Sequence, residues 1–323
     1  MKVLLVAIAA VLGTVGSAAA QPYPSRPITM IVPYATGGST DAIGRIMADR
    51  MRASLGQTVV AENVTGANGS IGVGRAARAA ADGYTIGLGA WPTHVVNGAI
   101  MSLNYDVLND FEPVALLPTQ PLVIVAKKSM AAQNLQELIA WLKANPDKAS
   151  QGHAGIGSTA HIGGVFFQKQ TGTRFAFVPY RGGGPAMQDL IAGQIDLMFD
   201  PAGSAVPHVL AGSIKAYAVT GKTRLSAAPD LPTVDEAGLP GMYVSLWHAL
   251  WVPKGTPKDI IAKLNAAAVE AMADPAVQKR LIAIGQELPP PDMQTPEALG
   301  AYHKAEIARW WPVIKEAGIK AQQ

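Results

Sequence analysis

The sequence predicts an α/β protein built from two lobes. Short apolar runs alternate with amphipathic segments along the chain, which is the pattern of a mainly parallel sheet covered by helices. Hydrophobic residues make up 49% of the chain and charged residues 15%, so the chain has enough apolar side chains to form a core and is not disordered. At 323 residues, one hydrophobic core usually gives way to two.

The elements follow in order from these patterns. The apolar run at 28–32 predicts a strand that ends at Pro33, and helical spacing of apolar residues predicts a helix at 41–54. Asn134, with Glu137 three residues later, predicts the start of a helix through a capping box. The other predicted strands lie at 58–61, 84–88 and 122–126, and the other predicted helices at 71–80, 159–170, 185–192, 257–273, 275–284 and 296–317.

The first twenty residues predict a signal peptide. Lys2 provides a basic start, residues 3–15 are almost wholly apolar, and small residues precede a cleavage site after about Ala20. The apolar stretch of about 13 residues is too short for a membrane anchor, which needs about 20. We therefore expect a periplasmic protein. Removal of Lys2 leaves 25 basic and 23 acidic residues.

Composition and spacing exclude several classes of protein. The chain has no cysteine, so disulfide scaffolds, thiol enzymes and lipoproteins are excluded. The chain has no dense run of Lys and Arg, so the sequence does not predict nucleic-acid binding. The six histidines show no spacing typical of a metal site, and the glycines at 66–74 do not form a dinucleotide-binding motif. We expect no metal and no cofactor.

An internal repeat points to anion binding. Residues 32–38 (VPYATGG) and 178–184 (VPYRGGG) have similar sequences, and each lies between a predicted strand and a predicted helix. Glycine lets a ligand approach the backbone closely, and the start of a helix presents free N–H groups at the positive end of its dipole. Two such units facing each other could hold two carboxylates. Glycine-rich turns that bind nothing are the alternative.

An ordered set of motifs resembles one protein family over essentially the whole mature chain. The motifs lie at 23–28 (YPSRPI), 33–41 (PYATGGSTD), 62–69 (ENVTGANG), 82–85 (DGYT), 155–158 (GIGS), 178–182 (VPYRG), 192–196 (AGQID), Trp310 and 317–320 (AGIK). The chain thus resembles the Bug-type periplasmic solute receptors, the substrate-binding proteins of tripartite tricarboxylate transporters.

The resemblance implies the fold and the partners. It implies a type II periplasmic-binding-protein (Venus-flytrap) fold with mixed sheets flanked by helices, in which a hinged receptor closes on a small organic acid. It also implies a monomer that delivers a di- or tricarboxylate to the membrane permease subunits of the transporter. We expect residues 22–121 and 225–323 to form lobe one and residues 122–224 to form lobe two.

The resemblance also implies the ligand-binding residues. In lobe one, these are Tyr34, Ala35, Thr36, Gly37, Gly38, Ser39, Thr40 and Asp41. Glycine admits the ligand to the backbone, Ser39 and Thr40 add hydroxyl donors, and Asp41 caps the helix unless a water molecule bridges it to a carboxylate. In lobe two, the residues are Gly155, Ile156, Gly157, Ser158 and Thr159. His161 either contacts the ligand or caps and packs the helix.

Five further positions complete the predicted site. Tyr180 contacts the ligand or has a structural role, Arg181 forms a charged hydrogen bond or stays solvated at the rim, and Asp200 receives a ligand amine or hydroxyl or caps the next helix. Trp91 and Thr93 belong to a segment expected to line the cleft, where an aromatic wall would favour an aromatic carboxylate.

Two other functions compete with a transport receptor. An exported hydrolase could use Ser158 with His161 or His153, but Ile156 and Ala160 occupy the positions where a nucleophile elbow requires glycine. A receptor that signals to a sensor kinase would have the same cleft, and the sequence does not distinguish it from a transport receptor.

Overall fold

The computed structural model describes residues 22–321, so the predicted signal peptide lies outside the described residues. Within this range the strands are β1 (Ile28–Val32), β2 (Val59–Asn63), β3 (Thr85–Ala90), β4 (Phe111–Lys127), β5 (Ser150–His153), β6 (Ala176–Pro179), β7 (Leu197–Pro201), β8 (Ile214–Val219) and β9 (Ser245–Pro253). The α-helices are α1 (Ser39–Leu55), α2 (Ser70–Ala77), α3 (Asn97–Ile100), α4 (Leu135–Ala144), α5 (Thr159–Thr171), α6 (Gly183–Ile191), α7 (Ala202–Leu210), α8 (Lys258–Ala273), α9 (Pro275–Ala283) and α10 (Pro296–Glu316).

The α/β prediction is confirmed, and most predicted elements differ from the observed ones by only a few residues. The capping box is present, because Asn134 Oδ1 accepts the Glu137 N–H at 2.9 Å. A π-helix at Pro92–Val96 was not predicted. None of the helices in residues 22–321 combines the length and the apolar character that a membrane span requires.

The strands form two mixed sheets that share β4. The first sheet has the order β2-β1-β3-β9-β4, with β1, β2 and β3 parallel and β9 antiparallel to β3 and β4. The second sheet has the order β8-β4-β7-β5-β6, with β5, β6 and β7 parallel and β4 antiparallel to β7 and β8. Each sheet therefore has one edge at which the carboxyl ends of its parallel strands lie together.

β4 passes from one sheet to the other without a break. Pro121 pairs with Ser245 of the first sheet, and Leu122 pairs with Pro201 of the second. The 17-residue strand contains three prolines, at 113, 118 and 121. It tolerates them because its register with β9 shifts twice, between Pro113 and Ala115 and between Leu116 and Thr119.

The return connection crosses back later than the predicted boundary at residue 225. Thr233 forms a bridge with Val219 at the end of β8, and Val234 donates to the Val219 carbonyl at 3.0 Å. The chain is therefore still paired with the second sheet at residues 232–234, and it re-enters the first sheet at Ser245. We call residues 22–121 and 245–321 the first lobe, and residues 122–244 the second lobe.

The buried hydroxyl of Thr220 joins the two crossings. It donates to the Val244 carbonyl at 2.6 Å and accepts the Leu122 N–H at 2.9 Å, while the Thr220 N–H donates to the Leu122 carbonyl at 2.8 Å. The two connecting chains are therefore held side by side where they pass between the lobes.

The lobes also touch through α10 and α5. The rings of Trp310 and Phe166 pack edge to face with centroids 5.1 Å apart, and Lys169 pairs with Glu316. Arg309 Nη2 donates to the Gly241 carbonyl at 3.2 Å. These contacts hold the carboxyl-end edges of the two sheets toward each other.

Candidate functional site between the two lobes

Four helices begin at the facing edges of the two sheets. In the first lobe α1 follows β1 and α2 follows β2, and in the second lobe α5 follows β5 and α6 follows β6. Ligands of open α/β sheets bind at the carboxyl ends of the strands, where these connections lie. The two edges meet directly, because a Cβ built on Gly157 would lie 2.6 Å from Ile100 Cδ1 and 3.7 Å from Asn68 Nδ2.

Three of these four helices begin without a capping side chain. The N-cap residues of α1, α2 and α6 are Gly38, Gly69 and Gly182, and none of these helices has a side-chain cap hydrogen bond. The first N–H groups of a helix have no partner within the helix, and the helix dipole is positive at this end. The edge of the cleft is therefore rich in backbone donors suited to an anion.

The first-lobe loop, residues 34–41, is fixed by a buried carboxylate. Asp41 Oδ2 accepts the Gly37 N–H at 2.9 Å and Arg45 Nε at 3.0 Å, and Asp41 Oδ1 accepts Asn63 Nδ2 at 2.9 Å. Burial alone would raise the pKa of Asp41, but the hydrogen bonds from Arg45, Gly37 and Asn63 outweigh it and lower the pKa to about 2. Asp41 thus has a structural role at the first turn of α1.

Glycine leaves open space beside this loop. A Cβ on Gly37 would meet no atom within 4 Å, and a Cβ on Gly38 only the Ala35 carbonyl at 3.7 Å. Ala35, Thr36 and Ser39 are exposed on the same loop. The Thr36 hydroxyl donates to Asn63 Oδ1 at 3.2 Å, so it is already engaged.

The hydroxyl of Thr40 is not the free donor that the sequence suggested. It lies 3.1 Å from Nε2 of the buried His248. His248 Nδ1 is 3.2 Å from the Pro118 carbonyl and must carry the ring proton, because a carbonyl only accepts. Burial lowers the pKa of His248 to about 4, so the ring is neutral and its Nε2 accepts from Thr40. Only the backbone N–H of Thr40 is available to a ligand.

Tyr34 directs its hydroxyl into the first lobe. The hydroxyl oxygen is buried and has no partner among residues 22–321, and burial raises its pKa. The Tyr34 carbonyl accepts Asn63 Nδ2 at 2.9 Å. The side chain of Tyr34 therefore belongs to the support of the loop.

The second-lobe loop, residues 153–161, is fixed by two stacked imidazoles. The rings of His153 and His161 lie 4.5 Å apart at 23°. His161 Nδ1 accepts the Gly157 N–H at 3.2 Å, and burial, together with His153, lowers the pKa of His161 to about 4. Both rings are therefore neutral at pH 7, since burial also lowers the pKa of His153. His161 holds the loop from within, as the packing alternative predicted.

Ser158 caps α5. Its Oγ accepts the His161 N–H at 3.3 Å, and its own N–H donates to the Gly155 carbonyl at 3.1 Å. Gly155 and Ile156 are half-buried at the cleft edge, and Thr159 is buried in the first turn. The second-lobe loop therefore differs from the first in having its helix capped by a side chain.

Tyr180 and Arg181 lie at the end of β6. The Tyr180 hydroxyl donates to Asp189 Oδ2 at 2.7 Å, and burial and this carboxylate raise the pKa of Tyr180 to about 12. This bond supports the structural alternative for Tyr180. Arg181 is exposed, and no ion pair is formed by it among residues 22–321.

Asp200 lies at the carboxyl end of β7, on the same edge. Its carboxylate is buried and only 2% exposed, and Oδ2 has no hydrogen-bond partner among the described residues. Burial raises the pKa of Asp200 to about 7, against a smaller lowering by Ser204. A Cβ built on Gly183, in the first turn of α6, would lie 3.5 Å from Asp200 Oδ1.

Trp91 and Thr93 do not line the cleft. Trp91 is 1% exposed, and its indole N–H donates to Glu306 Oε2 at 2.9 Å. Thr93 is fully buried, and its hydroxyl donates to the Ala90 carbonyl at 2.9 Å and accepts the Ala90 N–H at 3.0 Å. The π-helix that starts at Pro92 turns both side chains into the first lobe. The expected aromatic wall is therefore absent at this position.

Three supporting residues were missed by the sequence reasoning. Asn63 and Asn68 lie in the motif at 62–69, but the sequence did not assign them a role at the site. His248 is far from the loop in sequence. Asn63 ends β2 beside the end of β1, so the pairing of parallel strands could have placed it next to the first-lobe loop. Asn68, at φ 52°, pairs with Asn97 through Nδ2 at 2.8 Å from Asn97 Oδ1. No local signal identifies His248.

Comparisons with known proteins agree with this arrangement. The family model described as tripartite tricarboxylate transporter family receptor (TctC) matches residues 43–319. The chain is 39% identical to the periplasmic binding protein BugD, with a TM-score of 0.78, over 93% of this chain and 100% of that one. MatC from Rhodopseudomonas palustris with bound malate is 38% identical, with a TM-score of 0.79, over 90% of this chain and 100% of that one. An R. palustris protein solved with adipate is 32% identical, with a TM-score of 0.80, over 92% of this chain and 99% of that one.

Proposed function

Because the chain belongs to the tripartite tricarboxylate transporter receptor (TctC) family, which comprises solute-binding receptors and not enzymes, we propose that it captures an aliphatic di- or tricarboxylate between its lobes. The observation that carries this proposal is the group of four helix N-termini at the cleft edges, three of which have glycine N-caps and no side-chain acceptor. The receptor then delivers the acid to the permease of the transporter.

The charge of the ligand is balanced by dipoles and backbone donors. Each helix start carries roughly half a positive charge, so two helix starts on each lobe suit one carboxylate on each side of the cleft. The rings of His153 and His161 are neutral, and Asp41 is already paired with Arg45. Arg181 is an exposed cation that directly precedes Gly182, the N-cap of the uncapped helix α6, and it supports binding from the rim.

Two features favour an aliphatic acid. The relatives solved with malate and with adipate hold dicarboxylates of different length, which is consistent with a site that grips the two ends of a diacid. The buried position of Trp91 removes the reason to expect an aromatic ligand.

Lobe closure couples binding to transport. Each lobe supplies two helix starts, so only a state with both lobes around the ligand gains all the contacts. The contacts of α10 with Phe166 and Lys169 support a closed arrangement, and the paired crossings at Thr220 support a hinge there. The permease would recognise this closed form.

Export precedes this function. The basic start and apolar run of residues 1–20 support a signal peptide, and the related BugD is a periplasmic binding protein. The receptor would then meet its ligand in the periplasm.

A calorimetric titration with malate, succinate, adipate, citrate and benzoate tests the proposal. We expect binding of at least one aliphatic acid, recovered chemically unchanged, and none of benzoate. Ligand at 100 times its dissociation constant should add about 2.7 kcal/mol to the free energy of unfolding and raise the melting temperature by several degrees. Absence of binding to every acid, or binding of benzoate alone, would reject the aliphatic carboxylate assignment.

A further inference from the structure

Asp200 is an acceptor at a cleft edge whose other groups are donors. The helix starts of α1, α2 and α6 present N–H groups, and Arg181 is a cation. Asp200, by contrast, is the next-to-last residue of β7, two residues before α7, and lies against the first turn of α6. A carboxylate at this point does not serve the binding of another carboxylate.

The second oxygen of Asp200 lacks the partner that buried carboxylates normally have. Asp41, which is equally buried, accepts from Gly37, Arg45 and Asn63. Asp200 Oδ2 accepts from no group in residues 22–321. Leaving a buried acceptor unpaired is unfavourable, so a donor brought to it gains more than the same donor would gain in water.

Space for such a donor lies beside the same helix start. A Cβ on Gly182 or Gly184 would meet no atom within 4 Å, and a Cβ on Gly183 between them would lie 3.5 Å from Asp200 Oδ1. Rotation of the carboxylate about its last bond exchanges its two oxygens, so either oxygen can turn toward this space.

We propose that Asp200 selects acids that carry a hydroxyl or ammonium group next to a carboxylate, by accepting a hydrogen bond from that group. This inference rests on the proposed function, since it assumes that the acid binds at the same cleft. The carboxylates of the ligand lie at the helix starts, and its hydroxyl or ammonium group points to Asp200. An acid without such a group leaves Asp200 unpaired and, when Asp200 is ionised, is repelled by it.

The burial of Asp200 also makes the selection strong. Burial raises the pKa of Asp200 to about 7, because desolvation disfavours its ionised form. A donor from the ligand stabilises that form. A site built to pair a buried polar group rejects the analogue that lacks the matching group more strongly than an apolar pocket rejects a missing methylene.

Matched pairs of acids test the inference by calorimetric titration. The pairs are malate with succinate, aspartate with succinate, and citrate with tricarballylate, and the second acid of each pair lacks the hydroxyl or ammonium group of the first. The wild-type receptor should bind the first acid of at least one pair about tenfold or more tightly. Asp200→Asn should reduce this ratio to about threefold or less, mainly by weakening the first acid.

Two further variants make the test specific. Asp200→Ala repeats the comparison in a second background, and Asp147→Asn is the matched control, because Asp147 is exposed and has a positive φ of 59° that asparagine accepts. Asp147→Asn should leave the ratio unchanged. The unliganded Asp200→Asn receptor should melt at or above the wild-type temperature, since it loses no hydrogen-bonded partner of Oδ2.

The outcomes separate the two proposals. Equal affinity of the wild-type receptor for both acids of every pair would overturn the role of Asp200 and leave the carboxylate receptor intact. A wild-type ratio that persists in both Asp200 variants would overturn it as well. Failure to bind any of these acids would overturn both proposals.

Discussion

The two loops that face each other across the cleft are held in position by different chemistry. In the first lobe, residues 34–41 are fixed by the ion pair of Asp41 with Arg45 and by Asn63, and α1 begins at an uncapped glycine. In the second lobe, residues 153–161 are fixed by two neutral stacked imidazoles, and Ser158 caps α5. The position of the first loop depends on the ionised Asp41 carboxylate, whereas that of the second loop depends on histidine rings that stay neutral.

Under the proposed function, neither of these two loops directs a side-chain cation at the ligand. In the first lobe the positive charge of Arg45 is directed at Asp41, behind the loop, and in the second lobe the histidines stay neutral through burial. Backbone N–H groups remain as the donors at the cleft edge. The two loops should therefore respond differently to acid and to substitution.

Acid should produce the largest effect, and in the second loop it acts through His161. His161 has a pKa of about 4 in the folded protein and about 6.5 when unfolded, so its contribution to stability is complete above pH 6.5 and is lost as pH falls toward 4. The loss should amount to roughly 3 kcal/mol of the free energy of unfolding. Urea titrations of the wild type and of His161→Gln at pH 7 and pH 4.5 measure it. Gln cannot take up a proton, so the variant should lose less stability, and an equal loss in both proteins would contradict this account.

The contribution of Asp41 to stability should persist over the same change of pH, but substitution of Asp41 should lower stability. Its stabilising ionised form is complete above pH 3.8 and is lost only as pH falls through about 2. Asp41→Ala leaves the Gly37 and Asn63 donors without their acceptor, and we expect a loss of about 2 kcal/mol in the free energy of unfolding and weaker acid binding. Asp49→Ala, on the exposed face of the same helix, should change stability by less than about 0.5 kcal/mol. A similar small effect for Asp41→Ala would show that the ion pair does not fix the loop.

Gly38→Val should separate binding from stability in the first loop. The φ of Gly38 is −78°, which valine adopts, and its Cβ would point into open space. We expect at least tenfold weaker acid binding, or about 1.4 kcal/mol, with a smaller change in the free energy of unfolding. Ala53→Val adds bulk to an exposed position about 20 Å along the same helix and should leave affinity unchanged. Unchanged affinity of Gly38→Val would exclude this loop from the site.

Ser158→Ala should give the smallest effect. It removes the cap of α5, and we expect a loss of about 1 kcal/mol in the free energy of unfolding, with modestly weaker acid binding. Thr295→Ala, which removes the cap of α10 away from the cleft, is the matched control and should cost similar stability without changing affinity. Identical affinity in both variants would mean that α5 does not contribute to the site.

Local patterns predicted the elements well because apolar spacing and the capping box act within a few residues. The strand at Ile28–Val32 and the helix at Pro275–Ala283 were predicted within one residue at each end. β4 was predicted only in its second half, because prolines argue against a strand unless bulges accommodate them, and bulges depend on the partner strand.

The candidate site was harder to predict where a long-range contact decides the role of a side chain. The sequence identified the glycines and the helix starts, because their role follows from local geometry. It did not reveal that Thr40 bonds His248, 208 positions away, or that Trp91 turns inward to Glu306. For Asp200 the sequence left two roles open, a ligand contact or a helix cap. The hydrogen bonds that distinguish these roles are visible only in three dimensions.

A crystal structure of the receptor with its tightest-binding aliphatic acid tests the central claim most directly. We predict one carboxylate within hydrogen-bond distance of the backbone nitrogens at the start of α1, and a second at the start of α5 or α6, with the lobes closed around the ligand. An acid bound outside the cleft, or held by side-chain cations with the four helix starts unused, would contradict the account.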